Sequence, residues 1–149
     1  MSAETFIRRT RIDAPAEEVF RWHTEPGALR SLIPPWERVE VEQEGEIREG
    51  AEVKLRVRLG LLSLPWVARI ERCVPGRWFR DVQVRGPFAR WEHEHWMRPA
   101  GPASCWLEDR VVYELPLGNL GRWLGSRLVR SRLERMFAFR HRVTREVWA

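Results

Sequence analysis

Two histidines in the segment GPFARWEHEHWM, His93 and His95, form the densest concentration of proton-handling and metal-binding groups in the chain. If the segment is a strand, alternation places Trp91, His93, His95 and Met97 on one face, so both imidazoles point the same way. Such a pair can hold zinc, but a zinc site needs three or four ligands. His23, His141, Asp109 and the two cysteines supply no local motif that completes one. The expectation is two imidazoles hydrogen-bonded in a semi-buried interior, with no metal and no cofactor. In the next strand Leu107, Asp109, Val111, Tyr113 and Leu115 share a face, and the apolar and aromatic neighbours mark it as the inner one. An inward carboxylate is costly unless paired. The candidates are His93 or His95 on the adjoining strand and Arg140 on the last helix. Such an Asp-His-Arg network either moves protons on a substrate or clips the helix to the sheet, and it perturbs pKa values in both cases. No Gly-rich phosphate loop, GxSxG elbow or HExxH occurs, so phosphoryl transfer, serine hydrolysis and zincin chemistry are unsupported.

These groups need a scaffold, and hydrophobic periodicity supplies one. A strand from Phe6 to Asp13 precedes Ala14-Pro15; Asp13 stands where a helix cap belongs, with Glu17 and Glu18 in the first turn. The helix runs to about His23, Glu25-Pro26-Gly27 breaks it, and a second short helix covers Ala28 to Leu32 before Pro34-Pro35. Val39 and Val41, then Val53, Leu55, Val57 and Leu59, alternate with charged residues in the manner of half-buried strands. Further strands are expected at Leu64 to Cys73, Trp78 to Val84, Ala89 to Met97 and Cys105 to Leu115. In Trp78 to Val84 neither face is cleanly apolar, so alternation does not choose the inner one. After Pro116 the pattern turns helical as far as Trp148, giving the order β-αα-β6-α.

The last helix has an informative phase. Val129, Leu133, Met136, Arg140, Val143 and Val147 fall on one face, and the same face continued backwards meets Gly125, Gly121 and Gly118. A glycine stripe on a core-facing phase means either close packing on the sheet or room for a ligand along residues 118–125. Leu120, Trp123, Leu124 and Leu128 lie on another face, turned inward by a kink near Gly125-Ser126 or left as an exposed contact patch for a protein partner.

Length and composition bound the rest. A chain of 149 residues makes one domain, 1–149, and 44% hydrophobic with 32% charged residues excludes a disordered tail, a collagen-like repeat and a membrane-embedded protein. The longest nearly apolar stretch, Gly60 to Ala68, is broken by Ser63 and Pro65 and falls short of the ~18 residues of a spanning helix. No apolar run follows the first charges of MSAETFIRRTRID, and Cys73 and Cys105 have no CxxC spacing; both features suit a cytoplasmic protein with structural cysteines. Of the 26 basic residues only Lys54 is not arginine, and the net charge is +5. The arginines of the last helix spread around it with no recognised nucleic-acid motif, so no nucleic-acid partner is expected. Nine tryptophans are many for this length, and some are expected to line a site.

The opening strand, IDAPAEEVFRW at the first helix, six strands and one long C-terminal helix resemble the helix-grip (α+β) fold of the START-like, or SRPBCC, superfamily. That superfamily includes polyketide cyclases/dehydrases, lipid-transfer domains and the birch-pollen-allergen group. DVQVRGPFARWEHEHWM, LEDRVVYELPLGNLG and LERMFAFRHR are similar to a bacterial branch labelled cyclase/dehydrase or coenzyme Q-binding-like. The resemblance implies a curved antiparallel sheet gripping the last helix, with a cavity between them that opens near the short helices and strand loops. By the same resemblance Trp22, Trp36, Trp66, Phe88, Trp91, His93, His95, Asp109, Tyr113, Met136 and Arg140 line it, and Asp81 and Gln83 turn inward. So polar an inner face implies a small hydrophobic or amphipathic ligand, ring-bearing with polar substituents, rather than a plain acyl chain. The alternative is a cyclase/dehydrase in which His93 or His95, with Asp109, moves protons on a polyketide-like substrate.

Overall fold

The computed structural model describes residues 3–149. The elements run β1 (Glu4–Ile12), α1 (Ala16–Thr24), α2 (Ala28–Ser31), β2 (Val39–Gln43), β3 (Glu52–Leu59), β4 (Leu62–Val74), β5 (Trp78–Arg85), β6 (Arg90–Pro99), β7 (Cys105–Glu114) and α3 (Gly118–Val147). All seven strands join one antiparallel sheet in the order β1-β7-β6-β5-β4-β3-β2. β1, first in sequence, closes against β7, last of the strands, while the others form successive hairpins. Register shifts in the β2–β3 and β4–β5 pairs add twist, as bulges do, and α3 lies against β1 and β7. This is the helix-grip fold of the START-like proteins. The Asp13 cap is corrected: Pro15 occupies the N-cap of α1 and no side chain caps the helix. Glu17 and Glu18 keep their place in its first turn, where the helix dipole favours negative charge.

Two cores form on the concave side. Under α1, Val19 and Phe20 pack with Ile12, Ile70, Phe79, Met97 and Leu107. Under α3, Leu133 and Phe137 pack with Phe6, Trp91, Val111 and Tyr113, and the Phe6 and Phe137 rings lie 5.4 Å apart. Each such side chain taken fully from water contributes on the order of 2 kcal/mol. The inner face of β3 has no such cover. Val53, Leu55 and Val57 alternate as the sequence requires, yet remain only half-buried.

The expected stripe on α3 is corrected in phase. Its buried residues are Leu133, Phe137, His141 and Thr144, steps of four, four and three that seat the helix on β1 and β7. Val129, Met136 and Arg140 lie beside that seam and face β3 across a gap, while Val147 is exposed. The glycines have a different cause from room for a ligand. Leu117 and Gly118 both take positive φ at the helix start, and a Cβ on Gly121 would overlap the carbonyl oxygen of Pro116. The chain leaving β7 therefore folds back so tightly that Gly121 must lack a side chain. Gly121→Ala is expected to destabilise the protein by about 2 kcal/mol through overpacking against backbone. Gly125→Ala, whose added carbon meets only the Leu115 side chain at 3.6 Å, should be neutral or stabilising by up to ~1 kcal/mol; thermal melts of the two variants check the contrast.

Candidate functional site

Between β3, β4 and the cavity-facing side of α3 lies an open cavity of about 440 Å³. Its walls are mostly apolar: Val53, Leu55, Val57 and Leu59 from β3, Leu29, Leu32 and Ile33 from the α2 region, and Trp66, Phe88, Val129, Leu133 and Met136. Trp66, Phe88 and Trp91 pack edge-on or tilted with centroids 4.9 to 5.7 Å apart and make a rigid aromatic corner. Polar groups reach the cavity from Asp81, His93, His95, Arg140 and His23, with the Glu37–Arg132 ion pair at its side.

The polar set is built by strand register. Asp81 on β5 is directly opposite His93 on β6, and Phe79 is opposite His95, so alternation turns all four side chains to the concave face. Phe79, His95 and His93 form a pile of near-parallel rings, with centroids 4.0 and 3.6 Å apart. An ionised carboxylate only accepts hydrogen bonds, so each imidazole nitrogen against one must carry the hydrogen. His95 Nε2 donates to Asp81 Oδ2 at 2.6 Å, and His93 Nε2 donates to Asp109 Oδ1 at 2.7 Å. His141 Nε2, from α3, donates to Asp109 Oδ2 at 2.6 Å. The other nitrogen of His141 then accepts from the Thr10 hydroxyl at 2.8 Å, tying β1 into the chain. The remaining nitrogens face carboxylates too: His93 Nδ1 is 3.8 Å from Asp81 and His95 Nδ1 is 3.5 Å from Asp109. Three imidazoles and two carboxylates thus form one continuous network.

Burial by itself would raise the Asp109 carboxyl, but hydrogen bonds from His141 and His93 override it and hold the group well below the usual carboxylate range. For Asp81 burial is likewise outweighed, chiefly by the His95 hydrogen bond, and the carboxyl is lowered. Burial and the neighbouring His93 push His95 down against the pull of Asp81. His23 is pushed down to about 4 by burial, although its ring hydrogen-bonds the Val19 carbonyl. That bond fixes the hydrogen on Nδ1 and leaves Nε2 as an acceptor at the cavity. Arg140 is lowered by burial and supported by the charges of Asp109 and Asp81. Its Nε has no hydrogen-bond partner among the described residues.

Of the residues expected to line the cavity, Trp66, Asp81, Phe88, Trp91, His93, His95, Met136 and Arg140 do so, whereas Trp22, Trp36, Gln83, Asp109 and Tyr113 do not. Trp22 packs on Trp148, and Trp36 rests half-exposed on Phe139. Gln83 exchanges two hydrogen bonds with the Phe88 backbone and so holds the β5–β6 turn. Tyr113 is fully buried in the core under α3, and Asp109 lies behind the histidines, 6% exposed. Of the candidate partners of Asp109, His93 makes the hydrogen bond and Arg140 does not: the helix supplies His141 instead, one residue on. Periodicity finds the alternation of β3 and the sequence shows His141, but neither tells that β3 lines the cavity or that His141 reaches Asp109.

The expectation that no third donor joins His93 and His95 is also corrected, because Asp81 brings one across the sheet; one donor atom from each of the three lies within 4.8 Å of the others. The rings are stacked, 28° from parallel, so their in-plane lone pairs run side by side and do not converge as a tetrahedral ion requires. The arrangement suits proton sharing better than metal binding.

The sequence matches the family described as polyketide cyclase / dehydrase and lipid transport over residues 12–137. No curated protein matches it. Among solved structures, the fold is similar to the ZhuI aromatase/cyclase of Streptomyces sp. R1128, with a TM-score of 0.75, 16% identity and coverage of 96% of this chain and 92% of that one. Norcoclaurine synthase from Thalictrum flavum, in complex with dopamine and hydroxybenzaldehyde, gives a TM-score of 0.72 at 13% identity, covering 98% and 87%. A START superfamily protein from Mycobacterium smegmatis gives 0.69 at 12%, covering 97% and 96%. At these identities the likeness is one of fold.

Asp109→Asn removes the charge that two buried imidazoles share and should lower stability by about 3 kcal/mol; a denaturant melt matching the parent would contradict the network. The pH dependence has a definite sign. A histidine whose folded pKa lies below its unfolded value stabilises the fold fully above the unfolded value near 6.5, and that contribution is lost as pH falls towards the folded one. With the value near 4 for His23, up to ~3 kcal/mol disappears between those limits, and His95 acts in the same direction. The melting temperature should therefore drop from neutral to mildly acid pH, and His23→Asn should shrink that drop.

Proposed function

The chain belongs to the polyketide cyclase/dehydrase and lipid transport family, and from that premise we propose that it is a single START-like domain holding one small amphipathic, ring-bearing molecule. The carrying observation is an apolar cavity of about 440 Å³ with Asp81, His93, His95 and Arg140 at its polar end, within the ~300–1,000 Å³ typical of small-molecule sites. The apolar body of the ligand rests on β3 and the corner of Trp66, Phe88 and Trp91. An oxygen-bearing group meets the guanidinium of Arg140, which lines the cavity. His23 Nε2 accepts from a hydroxyl elsewhere on the ligand. The cocrystallised dopamine and hydroxybenzaldehyde of norcoclaurine synthase support a ring-bearing occupant for this fold.

A second reading, cyclase/dehydrase chemistry, is favoured by the cavity-facing Asp81–His95 pair. Arg140 would hold the oxygen of a substrate carbonyl as it becomes an enolate, and the imidazole–carboxylate network would take the proton from the adjacent carbon. Returning that proton to a departing hydroxyl releases water and completes a dehydration. In this reading the proton carrier nearest the substrate is His95, with Asp109 as the deeper carboxylate that orients His93.

Binding is checked by titrating the protein with hydroxylated naphthalenes and following tryptophan emission, which Trp66 and Trp91 should report from the cavity wall. Saturable quenching is expected, lost when Leu55→Trp fills the cavity. Arg140→Met should weaken the hydroxylated compounds about tenfold, as befits a hydrogen bond to a charged group, while leaving naphthalene itself unchanged. Absence of saturable binding, with no small molecule seen by native mass spectrometry of the protein from its own host, would overturn the reading. If the protein is a catalyst, His95→Gln should keep binding and lower turnover of a β-hydroxy ketone substrate by about a hundredfold.

A further inference from the structure

The antiparallel order places the β3–β4 turn, the β5–β6 turn and the β7–α3 junction at one end of the sheet. Cavity-lining Leu59, Pro87, Phe88, Leu115 and Pro116 belong to the same end. So do several large apolar side chains that nothing covers. Leu61 and Leu62 protrude from the β3–β4 turn, and Leu120, Trp123, Leu124 and Leu128 stand on the outer side of α3, with Trp123 80% exposed. At ~100° per residue these four span roughly 140° of the helix, opposite the Val129 and Leu133 side that packs inward. The first half of α3 is therefore apolar on two opposite faces, a pattern that water alone does not support.

Within the three stretches that form this end, charge has one sign, and the acidic groups beside them, Glu4, Glu40 and Glu92, are engaged by Ser126, Arg58 and Arg90. No acidic residue occurs between Glu52 and Glu71, between Asp81 and Glu92, or between Glu114 and Glu134. The same stretches carry Arg85, Arg122, Arg127 and Arg130, with Arg127 inside the apolar arc of α3 and Arg130 at its edge. Exposed leucines and a tryptophan interleaved with arginine are the composition of a segment that lies in a bilayer interface, its rings at headgroup depth and its cations on lipid phosphates. No helix among the described residues is long and apolar enough to cross a membrane, so such contact is peripheral.

We propose that this end of the molecule, the outer face of α3 from Leu120 to Leu128 with the Leu61-Leu62 turn, docks on an anionic lipid surface. Docking there sets the cavity's apolar rim against the bilayer, so an amphipathic molecule would enter from the lipid with its polar group leading towards Arg140. The docking claim itself does not depend on the ligand's identity.

The test is co-sedimentation of the whole chain with phosphatidylcholine vesicles, with and without phosphatidylglycerol, at low and high salt. Binding is expected only with phosphatidylglycerol present, and it should weaken as salt screens the arginines. Trp123→Glu and Leu124→Glu, both at exposed positions, should each reduce the bound fraction about tenfold while leaving the circular dichroism spectrum and naphthol binding unchanged. Failure to sediment with anionic vesicles would overturn the proposal, as would equal binding by the two variants. So would a dimer in sedimentation velocity that Trp123→Glu dissolves, since a second copy would then be what covers the face.

Discussion

A carboxylate buried as deeply as Asp109 stays ionised only if hydrogen-bond donors reach its oxygens, and meeting that demand ties the molecule together. His93 answers from the next strand and His141 from the C-terminal helix, each at under 3 Å. His141 is itself held by Thr10 on the first strand. Three elements far apart in sequence thus converge on one charge. The phase of α3 follows from it, because a helix that must present His141 to Asp109 also presents Phe137 to Phe6 and Leu133 to the core. Val129, Met136 and Arg140 are left on the flank.

The cavity is the consequence of that rotation. α3 seals only the β1–β7 side of the sheet, and the curved remainder, β3 above all, presents an apolar face with no second layer against it. Half-buried valines and leucines on β3 are the signature of a core not filled by protein. Keeping such a space open costs stability, which is recovered where the sheet is covered, under α1 and under the sealed part of α3. A ligand that filled the space would stabilise the fold by mass action, coupling occupancy to stability without any moving part.

Polarity is graded along the cavity. At the sheet centre lies the Asp81, His93 and His95 network, with Arg140 of α3 across from it; towards the strand ends apolar groups line the cavity, continuing outward into exposed leucines and Trp123. The gradient matches a molecule with one polar end. The stacked imidazoles are hydrogen-bonded to two carboxylates and not to each other, an arrangement that fixes both rings.

The chain by itself determined the order of elements, the shared face of Trp91, His93, His95 and Met97 and the inward Asp109, because each depends on periodicity within a single strand or helix. Tertiary structure decided which of these residues meet. Asp81 joins His95 through strand register, which no local pattern encodes, and the mixed faces of its own strand concealed its direction until β6 lay beside it. His141 displaced Arg140 as the partner of Asp109 because a one-residue change in helix phase, about 100°, is set by packing against β1 and β7 and not by the helix's own sequence. The glycines of α3 were visible as a stripe, but the need for one at Gly121, contact with the Pro116 carbonyl, lies in the path of the chain leaving β7. Trp22, Trp36 and Tyr113 went to packing and not to the cavity for the same reason: composition shows that a side chain is large and flat, while only the three-dimensional closure of sheet on helix decides whether protein or empty space lies against it.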